Sequence, residues 1–515
     1  MTERRAALKF AVLVGVLLGL CLSLPKEQAQ PSFAQAQAKP NILVVGTDDN
    51  NYEVLREAMD NVNIRIGAQG VTFENFTYAQ SLCCPNRVST QRGQFPHNTD
   101  VLDNNPPHGG FETFKAKGYH LDTLGRTIDE AGYNTAYLGK YMNGYDDSLE
   151  IVPKGWDRWI LGIPRGECLS FDGNKRCPRG YGPQAHDRFI VNRAVPIVEN
   201  WDETAGPDMM FLSLYNPHGP WEHPDSYDAM FQDARPESSA FAEADVSDKP
   251  PFVRDNPNGE QARQEWLREY REKLRSAAYT DDLIGGVLDT LEATGESENT
   301  FVVYWNDNGY KTGHHRLTKK NSPYLEDERF PLLVRGPGIV PGTVRTELTA
   351  TVDIRPTLEA MADAETPEYV DGTNFLPLAQ GLTIPWRKYA YAESVALLSD
   401  GAAQRVRQKT RSLHRDGHHM RARALLAVPS EGDLPAWRAV YTKEGAYHLW
   451  LSGASLGYEE FYTLPTDRFE LDGTMNGVEE PQVPLYRERM AEFQACAAET
   501  CRSAGFMVPE VTEAQ

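Results

Sequence analysis

Basic residues are in short supply: 52 against 73 acidic ones among 515, for a net charge of −21. That balance argues against nucleic acid as a general partner and favours solubility. An anionic ligand can bind such a chain only where local positive charge overrides the global field. Long apolar runs are equally scarce. The one present, FAVLVGVLLGLCLSL, follows Arg4, Arg5 and Lys9 and precedes the small residues of SFAQAQA. It falls short of the roughly 20 residues that a membrane span wants, so it reads as an export signal, with an uncleaved anchor as the alternative. No other segment has the character of a membrane span, and no internal repeat or low-complexity tract follows. What remains is ordinary for a globular protein, 40% hydrophobic and 24% charged.

Cysteine is the third scarcity. One of the seven, Cys21, lies in the apolar leader. Cys168 and Cys177 bracket the loop CLSFDGNKRC, and Cys496 and Cys501 fall together in QACAAETC; both local pairings suit an oxidising compartment. That leaves Cys83 and Cys84, side by side in SLCCPNRVSTQRGQ. A disulfide between neighbours is strained, and a zinc site wants its cysteines spaced apart. Neither use accounts for them.

From Asn41 onward, apolar strands alternate with helical stretches. NILVVGTDD is a short continuous apolar run ending in acid, as a buried parallel strand would be. DTLGRTIDEAGYNTAYLGKY reads as a helix, a turn at Gly132 and a strand. DMMFLSLYNPHGPW is a strand running into a loop, and the segment from KLRSAAYTDD to FVVYWNDNG is a long helix, a polar turn and a strand. FPLLVRGPGI adds another strand. This alternation predicts a parallel α/β sheet flanked by helices. Residues 236–262, rich in Asp, Pro, Ser and Glu, read as a surface excursion. Near residue 385 the character changes: AWRAVYTKEGAYHLWL and EEFYTLPTDRFELDGT alternate like antiparallel strands, and YRERMAEFQACAAETC is helical. The expected organisation is a leader over 1–38, a main domain over 39–384 and a smaller sheet-and-helix subdomain over 385–515.

In open α/β sheets, ligands bind at the carboxyl ends of strands. Asp48 and Asp49 follow the first strand, Lys140 follows TAYLG, His218 follows FLSLYNP, and Asp307 and Asn308 follow FVVYWN. Three carboxylates and an amide oxygen are hard ligands, suited to Ca²⁺ or Mg²⁺. Taken alone, TDDNN is as well explained by an Asx turn or helix cap. Two acidic motifs at strand ends of one sheet favour a metal, because clustered carboxylates repel unless a cation sits among them. In CCPNR, Pro85 suits the first turn of a helix, so Cys83 falls just before a helix N-terminus, next to Arg87. That setting favours an anion and predicts a thiol with a lowered pKa.

This combination resembles the sulfatase family, whose C-x-P-x-R motif is matched by Cys83-Cys84-Pro85-Asn86-Arg87. GTDDNN, GYNTAYLGKYMNGY, NPHGPW, NDNGYKTGHHRL and FPLLVRGPGI fall in the family's order. The doubled cysteine, Pro96-His97-Asn98 and the GKY stretch resemble most the N-acetylglucosamine-6-sulfatases and extracellular heparan endosulfatases. The resemblance implies an alkaline-phosphatase-like sandwich: a large mixed, mostly parallel central sheet flanked by helices, with a small C-terminal antiparallel sheet. It implies that a formylglycine-generating enzyme oxidises Cys83 to formylglycine, an aldehyde whose hydrate attacks sulfur and then expels sulfate by re-forming the carbonyl. Asp48, Asp49, Asp307 and Asn308 would hold one calcium ion. Arg87 and Lys140 would hold the hydrate, and His218 and Lys320 would bind the sulfate and help protonate the leaving alcohol. Lys320 is preferred to Lys319 from its spacing to Pro331.

Some positions depart from the family pattern. Asn86 replaces the common Ser or Thr, Arg92 is displaced in QRGQ, and Met142 stands where many sulfatases have histidine, although the glucosamine branch also lacks it. His314 and His315 would either line the substrate pocket or lie on the surface. The basic run 405–423 is a candidate docking surface for a sulfated polysaccharide such as a glycosaminoglycan, or a solvated loop. The expected activity is hydrolysis of a sugar sulfate, an aminosugar 6-sulfate first. The alternatives are a phosphomonoester or phosphonate-ester hydrolase on the same scaffold, and a catalytically silent polyanion-binding protein. Replacing Cys83 with Ala is expected to abolish turnover of an aryl sulfate, whereas Cys84→Ala largely spares it; the reverse result would assign the chemistry to the other thiol.

Overall fold

The computed structural model describes residues 39–162, 169–177, 186–201, 205–397, 427–428, 434–474 and 480–506. The leader 1–38, the basic run 405–423 and Cys168 lie outside them. Four apolar runs form adjacent parallel strands: β1 (Asn41–Thr47), β3 (Asn134–Gly139), β7 (Asp208–Ser213) and β8 (Thr300–Asn306). Their spatial order is β8-β1-β7-β3, all parallel. Every residue of β1, β7 and β8 is buried, which is why they read as unbroken apolar runs rather than alternating ones.

The sheet continues on both sides. Beyond β3 come β4 (Arg158–Gly162), parallel, then β5 (Leu169–Phe171) and β6 (Asn174–Arg176), antiparallel. Beyond β8 lies β11 (Arg329–Arg335), antiparallel to β8 and to β2 (Val71–Thr77). The short β12 (Thr343–Arg345) and β13 (Thr349–Ala350) pair with β2. Between β8 and β11 a small hairpin is made by β9 (Lys311–Thr312) and β10 (Thr318–Lys319). Two groups of helices flank the sheet: Cys83–Arg92 with Leu124–Glu130 and Ile354–Met361, and Glu260–Ala293 with His186–Val198 and Tyr52–Ala58. No helix among the described residues is long and apolar enough to cross a membrane.

The C-terminal part forms a four-stranded antiparallel sheet in the order β14 (Ala390–Ser394), β17 (Trp437–Tyr441), β18 (Ala446–Trp450), β19 (Glu459–Tyr462). A separate pair, β15 (Ala396–Leu397) and β16 (Ala427–Val428), lies between β14 and β17 in sequence. The helix Val483–Ala495 packs on β17, with Phe493 stacked 5.2 Å from Tyr391. His97 and Glu393 (Nδ1–Oε1 2.6 Å) tie this sheet to the segment that follows the Cys83 helix. Cys496 and Cys501 are joined by a disulfide, and Cys177 is also disulfide-bonded.

Residues 236–262 run over the surface, with Glu237, Asp245, Ser247 and Arg254 exposed, but a few of their side chains turn inward. Lys249 and Val253 are fully buried and Val246 nearly so, because the strap is held between the β9–β10 hairpin and the small sheet. The inward-facing polar groups find partners within the protein, as Lys249 does at the Leu471 carbonyl and Glu243 at His315.

At the end of β3, Gly139 has a left-handed φ of 104°, and a Cβ there would lie 1.8 Å from the Ser213 carbonyl oxygen. The same oxygen accepts the Lys140 N–H at 2.8 Å. Gly139→Ala is therefore expected to cost at least about 1–3 kcal/mol, seen as a lowered melting temperature, and to reduce turnover by displacing Lys140.

Candidate active site

The carboxyl ends of the four parallel strands converge on Cys83. Asp48 leaves β1, Lys140 leaves β3, Ser213 ends β7 and Asp307 leaves β8. The helix Cys83–Arg92 enters from the side, with all ten residues buried and Gly93 closing it in the left-handed region at φ 65°. Cys83 is the first helical residue rather than the one before it. One helical turn on, Arg87 points back to the strand ends.

Arg87 links all four. Its Nε donates to Asp307 Oδ2 at 2.8 Å, Nη2 to Asp48 Oδ2 at 3.0 Å, and Nη1 to Ser213 Oγ at 2.7 Å and the Lys140 carbonyl at 2.9 Å. The Lys140 ammonium pairs with Asp48 Oδ2. Lys320, which follows β10, pairs with Asp49 Oδ1 and donates to Cys83 Sγ at 2.7 Å. Lys319 is exposed and takes no part. Asn308 donates to Asp49 Oδ1 at 2.6 Å, and His218 Nε2 lies 3.5 Å from Asp49 Oδ2. All nine residues singled out from the sequence thus fall in one cluster. The floor is closed off, with Asp48, Asp307 and Asn308 fully buried, while the side chains of His218 (21% exposed) and Lys320 (13%) form the mouth.

Electrostatics follow from this burial. Desolvation works against the Asp48 carboxylate, but Lys140, His218 and Arg87 outweigh it and hold Asp48 well below the usual carboxylate range. Asp307 is pushed up to about 6 by burial and by the Asp48 charge, against the pull of Arg87. Lys140 stays cationic: burial opposes the charge, and Asp48 more than restores it. Lys320 is likewise held above the lysine range by Asp49 in spite of its burial. The Cys83 thiol is raised to about 12 by burial and by Asp48. This overturns the expected lowering: two lysines and a helix start do not compensate for a fully desolvated sulfur beside a carboxylate. Cys84 is also raised to about 12 by burial, and its side chain packs in the main core.

The residues fit a hard divalent cation. Asp48, Asp49 and His218 each bring a ligand atom into one group with Cys83, all within 4.8 Å of one another. The Lys320 ammonium already sits against Asp49 and, at 3.5 Å, Asn308 Oδ1. A carboxylate as under-compensated as Asp307 would gain from a further positive charge.

Three supporting residues carried weaker signals. Ser213 and Asn306 were visible only as polar ends of apolar strands. Asn306 Oδ1 accepts from Asn50 N (3.2 Å) and its Nδ2 donates to the Asn308 carbonyl (2.7 Å), locking the two acidic loops together. Asn86, a departure from the motif, accepts from Ala79 N at 3.2 Å and donates to the Asp307 carbonyl at 2.6 Å. Arg92 lies at the far end of the helix, paired with Asp122 and stacked between Tyr119 and Tyr369. His314 and His315 are fully buried and not surface residues; they face Glu53 and Glu243 rather than Cys83.

A sequence model of the sulfatase family matches residues 40–364. The chain belongs to the sulfatase family. With it the chain joins the hydrolases of sulfuric ester bonds, and it lies near the N-acetylglucosamine-6-sulfatase branch. The N-acetylglucosamine-6-sulfatase of Homo sapiens is 25% identical over 522 residues, covering 96% of this chain and 90% of the human one. An arylsulfatase of Volvox carteri is 32% identical over 372 residues, which span 64% of this chain and only 56% of that one. Among solved structures, a protein in complex with its substrate D-glucosamine-2-N,6-O-disulfate superposes with a TM-score of 0.65 at 20% identity, covering 88% of this chain and 97% of the other. The phosphonate monoester hydrolase of Agrobacterium radiobacter gives 0.65 at 19%, covering 88% and 95%. The fold of this sulfatase is the alkaline-phosphatase-like one.

Removing the Asn86 amide leaves a buried N–H and a buried carbonyl unpaired, at about 1–3 kcal/mol each. Asn86→Ala is expected to lower the melting temperature and to reduce turnover more than KM changes, because the Asp307 loop loses its tether to the Cys83 helix.

Proposed function

We propose that this sulfatase hydrolyses a sulfate ester of a sugar, an aminosugar 6-sulfate such as that of N-acetylglucosamine. The observation that carries the reading is the position of residue 83. It stands where three strand-end carboxylates and three cationic side chains meet, beneath a mouth formed by His218 and Lys320. The substrate class is supported by the near full-length similarity to human N-acetylglucosamine-6-sulfatase, which extends through the C-terminal sheet. It is also supported by the structural neighbour bound to a 6-O-sulfated glucosamine.

Formylglycine at position 83, installed by a formylglycine-generating enzyme, would supply a hydrated carbonyl with one oxygen to attack sulfur and a second to release it. Calcium held by Asp48, Asp49, Asp307 and Asn308 would neutralise charge on the sulfuryl oxygens. The protein's own groups do the rest. Arg87 and Lys140, pinned on buried carboxylates, keep residue 83 in a fixed polar field. Lys320, cationic throughout the physiological range, binds the sulfate at the mouth. His218 Nδ1 donates to the Gly219 carbonyl at 2.7 Å, which turns Nε2 toward Asp49 and the leaving-group side. There it passes a proton to the departing alcohol. The leader over 1–38 directs export and is removed; residues 39–384 form the catalytic domain and 385–515 the subdomain that shapes substrate entry.

Burial holds His218 below the usual imidazole range, although Asp49 and Asp48 pull the other way. Raising the pH empties the imidazolium, so turnover is expected to be greatest on the acid side of about 6.5 and to fall as pH rises. In His218→Asn that limb should disappear along with most of kcat. Sulfate release from N-acetylglucosamine 6-sulfate and from an aryl sulfate, run in parallel with an aryl phosphate, tests the assignment. Faster sulfate turnover supports it, and faster phosphate turnover would make the protein a phosphoester hydrolase on this scaffold.

A further inference from the structure

On the far side of the Lys320 loop lies a second group of ligating side chains that the catalytic reading leaves unused. His315, Glu326 and Glu470 each offer an atom within 4.8 Å of the other two. Each side chain is anchored by one atom and presents another without a well-formed hydrogen bond. His315 Nδ1–H donates to Glu243 Oε2 at 2.7 Å, while Nε2 makes no well-formed hydrogen bond and faces Glu326. Glu326 Oε1 accepts from Ser238 Oγ at 3.2 Å, and Oε2 faces His315 Nε2 without a well-formed hydrogen bond. Glu470 Oε2 accepts the Leu325 N–H at 2.7 Å, leaving Oε1 free. His315 and Glu470 are fully buried. Beside them the fully buried His448 has neither nitrogen hydrogen-bonded, with Nε2 3.3 Å from Glu470 Oε1.

Two carboxylate oxygens aimed at one point repel in a desolvated site unless a cation sits between them. Glu243, Glu326, Glu460 and Glu470 gather here, with Lys249 Nζ 3.5 Å from Glu243 Oε1, the His315 imidazole between Glu243 and Glu326, and the Arg329 guanidinium acting on Glu326 and Glu470. The facing atoms also have the right spacing. His315 Nε2 and Glu326 Oε2 are 3.4 Å apart, close to the edge of a tetrahedron whose metal–ligand bonds are about 2.0–2.2 Å. An imidazole whose other nitrogen donates to a carboxylate is the usual posture of a metal-ligating histidine. A small cleft lined by Tyr52, Ser238, Glu326 and Phe469 leads to Glu326 from outside.

We infer that His315, Glu326 and Glu470 form a second, structural metal site for a divalent transition ion of the zinc type, with His448 completing or orienting it. One nitrogen and two carboxylates favour such an ion over calcium, which prefers an all-oxygen shell. His315 and Glu326 bracket Lys320 in sequence, and Glu470 follows the last strand of the small sheet. The ion therefore clamps both ends of the loop that presents Lys320 and fastens that loop to the C-terminal subdomain.

The full chain, stripped with chelator, re-equilibrated with zinc and calcium and desalted, tests this by elemental mass spectrometry. About one zinc per chain is expected in the parent and in Asp48→Asn, and much less in His315→Gln and Glu470→Gln. Zinc should raise the melting temperature of the stripped parent but not of Glu470→Gln. No retained zinc, equal retention in parent and both Gln variants, or loss confined to Asp48→Asn would overturn the site. Should the Gln variants fail to fold, anomalous diffraction from the parent at the zinc edge decides: a peak between His315 and Glu470 supports the site, and a peak only beside Asp48 overturns it.

Discussion

A buried guanidinium organises this molecule. Arg87 is 2% exposed and spans two carboxylates from distant parts of the sequence, Asp48 and Asp307. Neither Asp48 nor Asp307 could be buried alone, because an unpaired charge in such a place costs several kcal/mol. Their strands are neighbours in the sheet, and the Cys83 helix must dock at one depth and rotation for Arg87 to reach both. Breaking one member leaves the others as uncompensated buried charges, at about 3–5 kcal/mol. The site is thus rigid for the same reason that it is charged. Residue 83 is held at the helix start by the grip of Arg87 one turn later.

The parallel sheet was legible because its strands are buried on both faces and leave unbroken apolar runs. Asp48, Asp49, Lys140, His218, Asp307 and Asn308 were legible because a polar group just after such a run has few reasons to be there; Cys83 and Arg87 stood out in CCPNR, and Lys320 came only with the resemblance to the sulfatase family. Other features had no local signature. Asn86 looked like a defect of the motif and is a tether between the helix and the Asp307 loop. The thiol's raised pKa depends on how completely the sulfur is desolvated, which the residues CCPNR do not reveal. His314 and His315 lie in a polar stretch and would pass for surface residues, but the strap over 236–262 and the small sheet close over them. In each case the deciding partner is distant in sequence, as Glu243 is from His315.

The C-terminal sheet is more than an appendage. It meets the catalytic body at Glu393, which takes a hydrogen bond from His97 just after the Cys83 helix, and at Glu460, which accepts from Tyr324 close to Lys320. Both contacts lie one short segment from the proposed chemistry. A change in this subdomain can therefore move Lys320 without touching the buried charges. The floor, shared across strand ends, is built for constancy, and the mouth hangs on contacts that can vary.

The most direct measurement is the mass of the peptide containing residue 83, taken from protein that turns over a sulfate ester. An aldehyde or its hydrate is expected there, sulfur and two hydrogens having given way to one oxygen, with Cys84 unchanged. An intact thiol at position 83 in fully active material would contradict the role given to that residue and to the charged floor beneath it.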